Sequence, residues 1–545
     1  MFPNEWQKIN TDVLVIGGGG AGLMAAIAAA QKGSKVLLAS YSRVGYSNNT
    51  AIAAGYMCVV TKPDDSMQAY FRDVMSAGCL INNRKSVELL AVGAINQIYD
   101  LEQLGVSFVR EDGELAVASV PGHSYPRRVF VVNKGLGFTI PLRVKAESLG
   151  VSFLEGVLIT RLIKGESIKG AMGINNKGVL FVIEAKAVVI ATGGLGQLYS
   201  NTSNAARATG DGYALAYKAG ATLQDMEMVQ FYPTATTIGT TKQVLLYEFI
   251  VGEEGAFIRN SKNEDIIQKY GLTNPMNRTR DKLARAMMTE IIEKRHIGGS
   301  LLLDLSNTSD KALNRIQQYL PKQVRTHSRN NVMMTPVAHF QMGGISIDDN
   351  CRTSIDGLFA AGEVCGGTHG ANRLGGNSLT EIFVFGGKAG RKAGEEFMKR
   401  RKSGITEKEI DTECQSIHSL SSNRGDCQLN ELKSELKTIM WGKAGIIRNR
   451  QSLNEALVDI KRISESLNKT MVMGPKDLLD IIILGNMLTV SEMVVRSALM
   501  RNESRGAHFR VDYPQQNNEQ WLSNVIVSKK HQAIILSNTK IQVPS

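Results

Sequence analysis

Short apolar runs alternate with helix-like patterns along the N-terminal part of the chain. Residues 11–16 are an apolar run of strand length, and a glycine-rich turn and an alanine-rich helical pattern follow them. Residues 35–40 form a second apolar run, residues 64–110 have a helical pattern, and residues 151–190 alternate as several strands do. Strands that alternate with helices in this way predict an α/β fold with a Rossmann-like sheet.

The pattern changes twice further along the chain. Residues 225–340 have fewer glycines, more polar loops and helical patches, which predicts an inserted α+β capping domain. Residues 398–425 are polar and lysine-rich, as in a linker, and residues 431–505 have the apolar spacing of a helical bundle. A chain of 545 residues is too long for one compact core. We predict a dinucleotide-binding domain at 1–235 and 341–400, a capping domain at 236–340, and a C-terminal helical domain and tail at 401–545.

Composition narrows the class of protein and its partners. The chain is 43% hydrophobic and 21% charged, as in an ordinary globular protein. No apolar run approaches the roughly 18–20 residues that cross a bilayer, so no direct membrane span is expected. The six cysteines form no CxxC pair, which predicts no metal or iron–sulfur site and a cytoplasmic protein with free thiols. The net charge of +12 suits anionic substrates or acidic partners, and no aromatic-and-basic motif predicts nucleic-acid binding.

The first apolar run leads into a glycine motif. The sequence from Gly17 to Gly22 is GxGxxG in the strand–turn–helix setting that dinucleotide binding requires. Gly17 is predicted to make the tight turn, Gly19 to let a pyrophosphate approach, and Gly22 to pack the helix on the strand. Ser40 ends the second run, where a hydroxyl can hydrogen-bond a ribose.

Residues 335–390 contain the highest density of candidate functional groups. This stretch holds His339, His369 and Arg373 among four glycine pairs, which allow backbone to approach a planar or phosphorylated ligand. Asn377 opens a helix-like run just beyond them. Because a helix N-terminus favours negative charge, this position suits a ring system that becomes anionic on reduction.

At these residues the chain resembles a known family. The segments GLFAAGEV and HGANRLGGNSL are similar to those of the flavoprotein subunits of fumarate reductase and succinate dehydrogenase, and of L-aspartate oxidase. The resemblance covers roughly residues 11–520 and implies that FAD is the cofactor. It implies these cofactor-binding residues: Gly17, Gly19, Ala21, Gly22, Ser40, Asn49, Thr50, Gly55, Thr192, Gly193, Asp211, Glu363, Asn377, Ser378 and Leu379. Asp211 also has the alternative role of a helix N-cap.

The same resemblance implies the catalytic residues. Arg280 matches the family's proton donor, while His339 and Arg373 match the groups that hold a substrate carboxylate. Glu248 would be the next member of the proton relay. His123 and Arg127 match a stretch that lines the flavin or substrate cavity.

Four positions depart from the family's pattern. Asn49 stands where many members have a histidine covalently linked to the flavin, so non-covalent FAD is expected. Tyr232 and Tyr247 replace the histidine and threonine that bind the second carboxylate, and Val251 replaces a relay arginine. A phenol donates a hydrogen bond but carries no charge at pH 7, so an altered substrate acid is an alternative.

The resemblance therefore implies an enzyme that interconverts fumarate and succinate, with fumarate reduction favoured. A separate iron–sulfur subunit would supply electrons, since no cluster motif lies in this chain, and any association with a membrane would occur through partner subunits. The alternatives are an L-aspartate oxidase, a reductase of another α,β-unsaturated acid, and a non-catalytic FAD-binding protein. Retention of Arg280, His339 and Arg373 together disfavours the last of these.

Overall fold

A five-stranded parallel sheet forms the centre of the molecule. The computed structural model describes residues 6–238, 242–246, 255–274, 278–319, 332–396, 398, 404–421, 428–531 and 533–541. The sheet has these strands in spatial order: β21 (Leu358–Ala360), β13 (Ala187–Ile190), β2 (Val13–Ile16), β3 (Val36–Ser40) and β9 (Ser152–Glu155). Strands β2, β3, β13 and β21 are buried throughout because both faces of the sheet are covered.

Helices cover this sheet and carry the glycine motif. Helix α1 (Gly20–Ala30) begins directly after β2 and packs on α10 (Asn377–Glu396) and α5 (Leu136–Ser148). Glycines on α10 allow the close approach, since a Cβ on Gly390 would lie 2.1 Å from the carbonyl oxygen of Ala25. The predicted strand–turn–helix unit is therefore present, and its helix is fixed by a second helix that lies far away in sequence.

Smaller elements surround this unit. The helices are α2 (Asn49–Ile52), α3 (Met67–Ala77), α4 (Arg84–Gln103), α6 (Asp211–Ala219) and a 3₁₀ helix at Gly196–Leu198. The short strands are β4 (Tyr56–Cys58), β5 (Arg110–Glu111), β6 (Glu114–Leu115), β7 (Val117–Ala118) and β8 (Arg128–Phe130). A second sheet has the order β1 (Trp6–Asn10), β12 (Leu180–Glu184), β11 (Ile168–Asn175) and β10 (Val157–Lys164). Strand β1 was not predicted, because it is mostly exposed and lacks an apolar run.

A separate sheet forms the capping region. Its strands are, in spatial order, β16 (Lys242–Leu245), β15 (Val229–Ile238), β19 (Val332–Gln341), β18 (Leu301–Asp304) and β17 (Phe257–Arg259). Its helices are α7 (Ile266–Lys269), α8 (Arg280–Ile292) and α9 (Asp310–Tyr319). Helix α8 packs on β15, so its first residue lies next to the central strands of the cap.

The C-terminal region is helical, as predicted, and a helix also occupies part of the stretch that was expected to be a linker. Helices α12 (Leu429–Ala444), α13 (Arg450–Leu467) and α14 (Pro475–Met500) pack on one another. The prediction of a linker at 398–425 is wrong in part, because α11 (Glu407–Ser421) occupies much of it. Ile410 and Ile417, seven residues apart, are buried and fix this otherwise polar helix to the core.

Helix α14 corrects the expectation that no apolar stretch in the chain reaches the length of a membrane span. Among the described helices it alone is long and apolar enough to cross a bilayer by length and composition. Most of that apolar segment is buried inside the protein, as is usual for a core helix.

The segment expected to be a tail forms a hairpin instead. After α15 (Asn518–Trp521), strands β22 (Ser523–Lys530) and β23 (Ala533–Lys540) pair with each other. Strand β22 also pairs with β14 (Leu223–Gln224), which in turn pairs with β20 (Gly344–Ile345). Alternate residues of β22 are buried, a half-buried strand pattern that its polar neighbours obscured in the sequence. With these corrections, the α/β fold with a capping region and a helical C-terminal domain is confirmed.

Candidate active site

Two glycines of the motif, Gly17 and Gly22, have no space for a side chain. Gly17 has φ +119°, and a Cβ there would lie 2.2 Å from the carbonyl oxygen of Ala191 at the end of β13. A Cβ on Gly22 would lie 1.9 Å from the carbonyl oxygen of Gly17. Strand end, turn and helix start are therefore in direct backbone contact, which is the role predicted for Gly22.

A cleft opens at this turn, at the carboxyl ends of the parallel strands. Most predicted cofactor residues line it: Gly17, Gly19, Ala21, Ser40, Asn49, Thr50, Thr192, Gly193, Asp211 and Glu363. The cleft also contains residues that the sequence analysis missed: Tyr41, Arg43, Tyr46, Asn48 and Arg207. Arg43 lies 4.3 Å from the ring centroid of Tyr46, and Arg207 lies 4.1 Å from that of Tyr41. Arg43 follows the end of β3, a position that could have indicated it, whereas Arg207 lies between the 3₁₀ helix and α6, where no local signal indicated it.

Open space and two arginines in this cleft fit a dinucleotide. Gly193 has φ +77° and nothing within 4 Å of the place a Cβ would occupy, while at Gly19 the nearest atom is 3.8 Å away. The hydroxyl of Thr192 is buried without a hydrogen-bond partner in the structure. A buried polar atom normally has a partner, and this hydroxyl lies against Gly212 in the first turn of α6. Glycine backbone with open space beside it and two arginines are groups that suit a pyrophosphate-containing cofactor.

Asn49 forms a polar pair with the buried Glu363 in the cleft. The Asn49 amide donates to Glu363 Oε2 (3.3 Å) and to Asn204 Oδ1 (3.1 Å), and its oxygen accepts from the backbone N–H of Ala205 (2.9 Å). Glu363 Oε1 accepts from the backbone N–H of Gln341 (3.1 Å). Burial raises the pKa of Glu363 to about 7, although these donors oppose the shift. Asn49 is thus held by three partners as a neutral hydrogen-bonding group.

Asp211 connects the cleft to the helical domain. It is the first residue of α6 and not the N-cap, which is Gly210, so the N-cap alternative is wrong. Its carboxylate accepts from the hydroxyl of Thr209 (2.5 Å) and from the Asn486 amide of α14 (2.8 Å).

The other predicted cofactor residues support the cleft from outside its lining. Gly55 has φ +80°, and a Cβ there would lie 2.3 Å from Cα of Lys134. Asn377, with Ser378 and Leu379, forms the first turn of α10, and its Oδ1 accepts from the hydroxyl of Tyr70 (2.8 Å). Asn377 is completely buried, so it supports the start of α10 from inside the protein.

Two buried arginines meet beside this cleft. Arg280 begins α8 of the cap and is 8% exposed, and Arg373 in the glycine-rich stretch is 4% exposed. Arg280 Nη1 donates to Gln230 Oε1 (3.1 Å), and Arg373 Nη2 donates to the same oxygen (3.0 Å). The guanidinium of Arg280 also lies 4.9 Å from the ring centroid of Tyr232. The predicted pair is therefore brought together from two separate parts of the chain.

His339 lies between the arginines and the cleft. Its ring contacts the Tyr232 ring edge-on at 5.1 Å, and its Nδ1 is 3.0 Å from the hydroxyl of Ser203. Burial lowers the pKa of His339 well below 6.5, and Arg373 and Arg280 lower it further. The imidazole is therefore neutral. The backbone carbonyl oxygen of His339 accepts a hydrogen bond from the Asn204 amide (2.7 Å). Asn204 in turn accepts a hydrogen bond from the Asn49 amide through its Oδ1.

The prediction that His123 and Arg127 line a cavity is wrong. Arg127 is fully buried, and it donates to both oxygens of Asp65 (2.6 Å each) and to Asp73 (2.5 Å). His123 Nδ1 is 3.3 Å from Arg127 Nη1, and its Nε2 is 3.1 Å from the carbonyl oxygen of Gly375. These partners occupy the polar atoms of both residues, so the pair supports the loop that carries Arg373.

His369, the second histidine of the 335–390 stretch, is not among the residues that line the cleft. It is buried, and its Nε2 lies 3.0 Å from Glu381 Oε2. Two predicted residues, Tyr247 and Glu248, and the departure at Val251 lie outside the described residues. Among the described residues, no group of His, Cys, Asp or Glu could hold a metal ion.

Comparison with known proteins agrees with this geometry. Residues 12–379 match the family described as FAD binding domain, and residues 433–544 match the fumarate reductase flavoprotein C-terminal family. An uncharacterized FAD-dependent oxidoreductase of Methanocaldococcus jannaschii is 39% identical, over 96% of this chain and 97% of its own length. A chain of the fumarate reductase (CoM/CoB) of Methanothermobacter marburgensis is 35% identical, over 96% and 98%.

A solved structure is also similar over its full length. The FrdA chain of E. coli quinol fumarate reductase superposes with a TM-score of 0.90 at 29% identity, covering 99% of this chain and 98% of that one. The cleft, the paired arginines and these matches lead to one conclusion. The chain is an FAD-dependent oxidoreductase and belongs to the family of fumarate reductase and succinate dehydrogenase flavoprotein subunits.

Proposed function

We propose that the protein reduces fumarate to succinate as the catalytic flavoprotein subunit of a larger enzyme. The observation that carries this proposal is the cluster of Arg280, Arg373 and His339 beside the FAD cleft. Two buried positive charges and a neutral imidazole suit a dianionic substrate, because electrostatic attraction is strong where water is excluded. The relatives named fumarate reductase support the same activity.

Each residue then has a distinct task. Bound FAD supplies the hydride that adds to one alkene carbon. Arg373 and His339 hold one carboxylate and so orient and polarise the alkene. Arg280 donates a proton to the other alkene carbon, which completes succinate. Because an arginine has a normal pKa above 12, bulk water must reprotonate it through a relay, for which Glu248 is the proposed next member.

The cofactor is proposed to be non-covalent and the electrons to come from a partner. Asn49 occupies the position of the histidine that carries the flavin link in other members, and an amide cannot form that link. No cluster ligand set occurs among the described residues, so a separate iron–sulfur subunit is the proposed electron donor. We further propose a cytoplasmic protein that reaches a membrane only through such partners.

Tyr232 favours a second candidate, a different α,β-unsaturated acid. The tyrosine is 4% exposed, and its ring contacts both Arg280 and His339. It therefore occupies the place of a carboxylate-binding histidine with a bulkier, uncharged group. An acid with one carboxylate and a less polar second end would suit this pocket.

The test is an anaerobic mixing experiment. FAD in the purified protein is reduced with a low-potential dye and mixed with fumarate, and flavin reoxidation is followed by absorbance. We expect fast reoxidation in the wild type, its loss in Arg280→Ala with FAD still bound, and its retention in Arg285→Ala. Arg285 is a matched control because it lies on the same helix and stacks on Phe509 instead of facing Gln230.

Other outcomes redirect the assignment. Failure of fumarate together with FAD reduction by L-aspartate would replace the proposal with an oxidase. Failure of fumarate together with reoxidation by another enoic acid would establish the second candidate. Unchanged turnover in Arg280→Ala would overturn the proton-donor role.

A further inference from the structure

Gln230 is the side chain that joins the two arginines. It lies on β15, is completely buried, and accepts from Arg280 and Arg373 through a single oxygen. Its amide nitrogen donates to Asn372 Oδ1 (2.8 Å) and to the carbonyl oxygen of Arg373 (2.8 Å). Both lone pairs and both N–H groups of the amide are therefore in use.

A second contact closes this arrangement into a ring. The Asn372 amide donates to Oδ1 of Asp281 (2.9 Å), and Asp281 is the neighbour of Arg280 on α8. The cap helix and the glycine-rich stretch are thus connected twice, once through the arginine side chains and once through Asn372. Gln230 takes part in both connections.

The neutrality of the Gln230 side chain matters as much as its contacts. Two guanidinium groups in a site of low dielectric repel each other, and a shared acceptor offsets that repulsion. A carboxylate at this position would hold them more strongly, but it would also pair with the charges that a substrate dianion needs. An amide oxygen orients both groups without adding a negative charge of its own.

We propose that Gln230 is a positioning residue that sets the relative placement of Arg280 and Arg373 without adding a negative charge that would compete with an anionic substrate. This inference rests on the proposed function, in which Arg280 gives the proton and Arg373 holds the carboxylate. In this role Gln230 acts through the two arginines that it holds.

Two substitutions separate its two contributions. Gln230→Met keeps the length of the side chain and removes all of its hydrogen bonds. Arg280 and Arg373 then lose the acceptor that they share. A displacement of 1 Å in such a site costs about 100-fold in rate, so kcat should fall by that order. Gln230→Glu keeps the acceptor oxygen and adds a negative charge, so KM for fumarate should rise by about tenfold or more, with a smaller change in kcat.

The experiment measures steady-state fumarate reduction in H₂O and D₂O, with succinate binding followed by calorimetry. Gln97→Met is the matched control, because Gln97 is also buried but lies on α4. In Gln230→Met the solvent isotope effect on kcat should increase, because proton delivery becomes limiting. In Gln230→Glu succinate binding should weaken at least tenfold. A structural role alone would lower the amount of active protein in all variants and leave the isotope effect and KM unchanged.

Each result decides the question. If Gln230→Met fails to fold, Gln230→Glu carries the test through KM and succinate binding. Wild-type KM and succinate affinity in Gln230→Glu would overturn the inference, as would a wild-type isotope effect in a folded Gln230→Met. If the wild type does not turn over fumarate, the proposed function falls and this inference with it. An active wild type with unaffected variants removes only the role of Gln230.

Discussion

The buried histidine His123 should make stability depend on pH in a way that one substitution removes. Burial lowers its pKa from 6.5 to about 4, although the bond to Gly375 and the nearby carboxylates oppose the shift. Protonation would place an N–H on Nδ1 opposite the Arg127 guanidinium, which is itself a donor. His123→Gln removes the titration and can still donate to the Gly375 carbonyl oxygen.

The expected magnitude follows from the difference in proton binding. As the pH falls below 6.5, His123 takes up a proton in the unfolded chain but not in the folded one. The folded state is therefore destabilised progressively between pH 6.5 and pH 4, by about 3 kcal/mol in total. Other groups with shifted pKa values, such as Glu363 and His339, titrate in both proteins and cancel in the comparison.

The assay is denaturant unfolding of wild type and His123→Gln with FAD at a fixed saturating concentration, at several pH values from 7.5 to 4.5. The free energy of unfolding of wild type relative to the variant should fall steadily over this range. Gln97→Met, a substitution on α4 that removes a buried polar side chain but no titratable group, serves as the control and should leave the pH dependence unchanged. If the difference in unfolding free energy between wild type and His123→Gln did not vary with pH, the argument that His123 is held neutral beside the loop of Gly375 would be refuted.

Three further predictions follow from the same geometry. Gly22→Ala should weaken FAD binding and cost about 1–3 kcal/mol of stability, because its Cβ meets the carbonyl oxygen of Gly17 at 1.9 Å. Gly442→Ala is the control, since a Cβ there meets nothing within 4 Å, and it should be neutral or stabilise by up to about 1 kcal/mol. Calorimetric unfolding and FAD titration measure the stability and the FAD affinity of both variants. Arg127→Met should cost about 3–5 kcal/mol by leaving buried carboxylates unpaired, while Arg462→Met, which breaks an exposed ion pair, should cost less than about 1 kcal/mol. Acid precipitation should release all flavin into the supernatant, and flavin that stays with the pellet would contradict non-covalent binding.

The sequence alone determined the elements whose chemistry is local. The GxGxxG turn requires glycine because backbone atoms approach within contact distance, and that requirement appears directly as residue type and spacing. The same holds for Asn377 at the start of α10 and for the helical periodicity of α13. In each case the cause lies within a few residues of its effect.

Only the tertiary structure decided which groups meet across the chain. Arg280 and Arg373 are far apart in sequence, and Gln230 joins them because strand β15 brings its amide between the cap and the glycine-rich stretch. Arg127 looked like a cavity residue, but Asp65 and Asp73 from distant segments surround it. Burial, pairing and shared hydrogen bonds between distant residues depend on how the domains pack. A local pattern does not encode that packing. The sequence therefore indicated which residues form the site, but not which of them are in contact.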